Sequence, residues 1–102
     1  MAYDEALAER VRSALAGEEG LTERKMFGGI AFMVGGNMAL GVRDSDLMVR
    51  LGDVEDALAQ PHVRQSMMGE RPMKVIILVS QDADLGAWIA RGVAHARGLA
   101  PK

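Results

Sequence analysis

Apolar residues recur along this chain with two periods, and the switch between them divides it into elements. Leu7, Val11, Ala14 and Leu15 fall at helical spacing and predict an amphipathic helix over residues 3–16. Asp4 and Glu5 stand at its start, where the helix dipole favours anions, and Gly17 or Gly20 supplies a stop. From Ile30 the period changes to two. If Gly35, Gly36 and Asn37 form a three-residue loop, Val34 faces Met38, Phe32 faces Leu40 and Ile30 faces Val42, so the bulky side chains share one face. A two-residue loop would pair Phe32 with Ala39 and scatter them over both faces. A second turn at Asp44 and Ser45 sets Arg43 opposite Asp46, Val42 opposite Leu47 and Leu40 opposite Val49. Three antiparallel strands follow the first helix.

Asp53 is placed to cap a short helix that runs to about Leu58 and ends before Pro61. Residues 61–72 are rich in turn formers and read as a loop, and the run "MKVIILV" at 73–79 reads as a buried strand. Leu85, Trp88, Ile89, Gly92, Val93 and Ala96 fall on one face of a last helix, stopped at Gly98. The predicted order is α-β-β-β-α-β-α. It describes an α+β, two-layer sandwich whose terminal helices cover the bulky face of an antiparallel sheet. At 102 residues the chain is expected to be a single domain, 1–102.

The opposite sheet face would carry Ala31, Met33, Ala39, Gly41 and Met48, small or flexible apolar groups. Such a face is normally buried by something, and a second copy of the chain is the expected occupant. These five residues are the expected interface of a homodimer.

Composition narrows the alternatives. A 49% hydrophobic content supports a packed core, and the lack of cysteine excludes disulfides, thiolate metal sites and cysteine nucleophiles. The start "MAYDEALAER" lacks a signal-peptide pattern, and no apolar run approaches the ~18 residues of a membrane span, so a cytoplasmic protein without membrane contact is expected. The net charge is −2, and residues 1–23 hold six acids against two bases, which argues against a dedicated nucleic-acid binder. The basic residues cluster centrally. Arg24, Lys25, Arg50, Arg64 and Arg71, with Arg43 and Lys74 among them, are the candidate contacts for an anionic ligand or for DNA.

Motifs that carry chemistry are weak. Gly28-Gly29 and Gly35-Gly36 lie between strand residues, and neither leads into a helix or is followed by the lysine of a phosphate loop. A bulge and a hairpin turn account for them. His62 and His95 have no partner at metal-ligand spacing, and Ser66 lacks the context of a nucleophile. The pairs Asp44/Asp46 and Asp53/Asp56 fit turn and capping chemistry. No catalytic residue, metal ligand or cofactor site is predicted.

"KMFGGIAFMVGGNMALGV", then "GERPMK" and a helix containing Trp88, resembles the TfoX N-terminal domain family, small bacterial domains named for the TfoX/Sxy regulators of natural competence. The resemblance rests on Met26–Gly29, on Gly36, Asn37 and Met38, and on Gly69, Arg71, Pro72 and Met73. It implies a stand-alone domain of the secretion-chaperone-like type and carries over no catalytic constellation. The expected function is a non-enzymatic, homodimeric interaction module linked to regulation. Alternatives are a DNA-contacting transcription accessory, or a small-molecule binder or enzyme with a pocket near residues 61–72.

Overall fold

The computed structural model describes residues 3–26, 29–52, 54–68 and 70–99. Its elements are α1 (Glu5–Ala14), β1 (Leu21–Met26), β2 (Gly29–Val34), β3 (Asn37–Arg43), β4 (Asp46–Arg50), α2 (Glu55–Leu58), β5 (Val63–Met68), β6 (Arg71–Ser80) and α3 (Leu85–Arg97). The strands form one antiparallel sheet in the order β1-β2-β3-β4-β6-β5. Helices α1 and α3 pack on one side of it, giving the expected α+β, two-layer sandwich.

Two strands were not expected. The segment "LTERKM" forms β1, paired with β2 from Leu21↔Val34 to Met26↔Gly29. Residues 61–72, expected as a loop, contain β5, which pairs with β6. Both new strands are sheet edges, where exposed backbone groups invite further pairing. Each edge is blunted in its own way: Thr22, Glu23, Arg24 and Lys25 are exposed along β1, and the β5 register shifts between Gln65 and Met67.

The first hairpin also corrects an expectation. Gly35 and Gly36 both have positive φ, 62° and 83°, and form a two-residue turn in which Val34 pairs with Asn37. Positive φ at both central positions gives the turn whose twist matches the flanking strands. The register then shifts between Phe32 and Met33, so that Met33 pairs with Met38 while Phe32 pairs with Leu40. Ala39 is the unpaired residue of this bulge, which restores the expected Phe32/Leu40 and Ile30/Val42 pairs beyond it. The second turn follows the expected register from Arg43↔Asp46 to Leu40↔Val49.

The helix-side core gathers Leu7, Val11 and Leu15 of the first helical segment with Phe32, Leu40, Val42, Leu47, Val49, Ile77 and Val79 of the sheet and Trp88 and Ile89 of α3. Asp4 ties the layers together at one corner. One carboxylate oxygen accepts the backbone N–H groups of Ala6 and Leu7, while the other accepts the Gln81 amide at 3.0 Å. Gln81 also donates to the Ser45 carbonyl, and the Asp4 N–H donates to the Asp44 carbonyl. The Gln81 and Leu7 hydrogen bonds, in that order, hold the Asp4 carboxyl below its ordinary range. Helix α2 starts at Val54 with no side-chain cap bond. Asp53, expected as its cap, and Gly28 of the expected Gly28-Gly29 bulge lie outside the described residues.

Candidate interaction surface

Strand alternation decides which side chains reach the sheet face away from the helices. A direct cross-strand row traverses the whole sheet there: Arg24, Ala31, Gly41, Met48, Leu78 and Arg64, each paired with the next. Arginines stand at both ends and apolar or small residues between them. Around this row Ala31, Met33, Met38, Met48, Ile76 and Leu78 form a second apolar cluster.

Of the five expected interface residues, Ala31, Met33, Gly41 and Met48 lie on this face. Ala39 does not. The bulge turns it toward the helices, where it joins the main core, and Met38 takes its place on the second face. On this face Ala31 and Met48 are 0% exposed and Met33 only 9% within the single chain.

Curvature contributes to this burial. The Arg43 guanidinium donates to the Met67 carbonyl at 2.8 Å. Arg43 lies on β3 and Met67 on β5, three strand spacings apart, or about 14 Å on a flat sheet. One side chain cannot span that gap, and Arg43 pairs in the row of Asp46 and Ser80 while Met67 pairs with Pro72, eight residues away along β6, so the β5–β6 hairpin curls back over this face. A cavity of about 200 Å³ results, lined by Arg43, Asp46, Arg64, Met67 and Leu78 among others.

The anionic-ligand candidates scatter. Arg24, Arg50 and Arg64 belong to the curved face, with Arg43 beside them. Lys25 pairs with Ile30 and belongs to the helix side, and Arg71 is exposed next to the β5–β6 turn. Arg64 is bridged to Asp46, whereas Arg24, Lys25, Arg50 and Arg71 make no ion pair or side-chain hydrogen bond among the described residues. The side chain of Lys74 lies outside the described residues.

Several carboxylates have structural duties. Asp4 and Asp84 cap α1 and α3, Glu23 accepts from Nε and Nη2 of Arg12, and Glu18 pairs with Arg97. Arg12 holds the Glu23 carboxyl below its ordinary range. Ser66 is fully buried, and no group of three or more His, Asp or Glu side chains is arranged to hold a metal among the described residues. No described helix is long and apolar enough to cross a membrane.

One surface escaped the sequence reading. The outward side of α3 exposes Gly86, Ala90 and Ala94 at four-residue spacing, and these line an open groove of about 420 Å³ with Leu15, Ile89, Val93 and the paired Glu18 and Arg97. The signal was present in the helix period: of the exposed residues away from the core stripe, Gly86, Ala87, Ala90 and Ala94 are small and apolar and only Arg91 and Arg97 carry charge.

The family model of the TfoX N-terminal domain matches residues 13–96. No curated protein and no solved structure matches the chain.

Proposed function

Because this chain belongs to the TfoX N-terminal domain family, we propose that it is a non-catalytic regulatory module that acts by protein association and forms a two-fold homodimer through the outer side of α3. The observation that carries this reading is the groove at Gly86, Ala90 and Ala94, a strip of small residues on an exposed helix side, bordered by the Glu18–Arg97 ion pair. A solvated helix face ordinarily carries polar side chains, and small residues allow another helix to approach closely.

The strip is self-complementary. About an axis through Ala90, an antiparallel second copy sets Gly86 against the counterpart of Ala94, and the Asp84 end of one helix beside the Arg97 end of the other. Antiparallel helix dipoles add to that match. The engaged carboxylates described above support association over catalysis, since each already serves a cap or an ion pair.

Sedimentation velocity across the micromolar range tests the reading. A concentration-dependent dimer is expected, and Ala90→Glu should leave a folded monomer that melts as the dilute wild-type chain does. A wild-type chain that stays monomeric throughout, or a dimer indifferent to Ala90→Glu, overturns it.

A further inference from the structure

On a different surface, we propose that the curved sheet face binds an acidic segment of a partner protein, one that carries carboxylates together with apolar side chains. The first observation is a segregation of charge between the two layers. Strand alternation sends Arg24, Arg43, Arg50 and Arg64 to the curved face and only Asp46 among the described acids of the strands. The helical layer is acidic by contrast: Glu5, Glu9, Glu18, Glu55, Asp56 and Asp84 outnumber its bases Arg10, Arg12, Arg91 and Arg97. A net charge of −2 thus conceals a molecule with a basic side and an acidic side.

The second observation is the placement of the cations. Arg24 and Arg64 close the two ends of one cross-strand row, at most about 24 Å apart on a flat sheet and nearer on a curled one. The row between them is buried within the chain, so a short acidic segment meets the guanidinium groups at the rim of this face and not on its floor. Arg24 is exposed and Arg50 half-buried, and neither guanidinium has a partner among the described residues. Guanidinium groups hold carboxylates through paired hydrogen bonds, so both are ready to receive them.

The third observation separates a protein segment from a nucleic acid. Met67, 38% exposed, lines the cavity between Arg43 and Arg64 and offers an apolar foothold beside the charges. No described aromatic side chain is offered for base stacking on this face: Phe32 is buried, Tyr3 packs half-buried against the helix-side core, and Trp88 lies in the helical layer beneath Arg91.

Fluorescence anisotropy with defined probes decides the matter. The probes are a labelled peptide of mixed Glu, Asp and Leu, the same peptide with Lys at every acidic position, and single-stranded and duplex DNA oligonucleotides. Saturable, salt-sensitive binding of the acidic peptide is expected, with no binding of its lysine counterpart. Arg24→Glu with Arg50→Glu should weaken it by about tenfold or more. Arg24→Glu alone, at an exposed position, should weaken it severalfold and serves as the test if the double variant fails to fold. No saturable binding at low salt, binding unchanged by these reversals, or tighter binding of either DNA overturns the proposal. Sedimentation of a folded double variant should match the wild type, so the result is independent of the α3 dimer.

Discussion

Gly92 of α3 lies against the carbonyl oxygen of Ala39: a Cβ at position 92 would come within 2.7 Å of it, and equally close to a methyl of Leu40. The helix therefore seats on the bulge of β3, and the missing side chain sets how deeply. Gly92→Ala should gain up to about 1 kcal/mol in helix propensity and lose more to the clash. A net loss of about 1–3 kcal/mol is expected in urea unfolding, since the obstructing atom is backbone. A variant as stable as the wild type would show that α3 can lift without cost.

Gly35 and Gly36 occupy the left-handed region in the turn between β2 and β3. Gly36→Val should cost about 1–2 kcal/mol, because a branched side chain is strained there. Gly35→Asn should cost only a few tenths of a kcal/mol, as asparagine tolerates that conformation. Equal effects from the two substitutions would contradict the two-residue turn.

Met48 tests whether the curved face belongs to the core of one chain. It is fully buried between β3 and β6. Met48→Ala should lower unfolding free energy by about 2–5 kcal/mol, with dissociation of the dimer unchanged in sedimentation. Weakened association at undiminished stability would instead assign Met48 to an interface.

Asp4 predicts the response to acid. Its carboxyl is held below the ordinary range when folded, so the unfolded chain takes up this proton first. The stabilisation is complete above the unfolded carboxylate value of about 4 and disappears as pH falls through the lower folded value. Glu23, lowered by Arg12, acts with the same sign. Urea unfolding at a series of acidic pH values should show stability falling below that value, and Asp4→Asn should flatten the fall. An unchanged slope in Asp4→Asn would separate the carboxylate from the effect.

How far these features were legible in the residues varies with what each one buries. The Phe32/Leu40 and Val42/Leu47 pairs could be read because their bulky side chains enter a dry core, where a slip of one residue would be costly. Strand β1 could not, since Thr22, Glu23, Arg24 and Lys25 carry no apolar alternation; an edge strand is selected for charge as much as for pairing. In β5, neighbouring proline and glycine signalled turns, and the register shift near Ser66 broke the period that would have marked a strand. Met38 and Ala39 exchanged faces because a bulge leaves no compositional trace when both residues are apolar. The basic face was visible only as scattered arginines, because its outermost members stand on the two strands whose polar sequences concealed them.

The strand order bears on how the molecule assembles itself. Every neighbouring pair in the sheet joins strands consecutive in the chain except β4 and β6, which meet across α2 and β5. Short closures cost little chain entropy, so the β1–β4 meander and the β5–β6 hairpin can each form locally. Their union along Met48↔Leu78 is the one closure that must wait for a longer search, and it completes the floor on which both terminal helices rest. Substitutions at that seam should slow folding more than they speed unfolding, which chevron kinetics of Leu78→Ala would reveal.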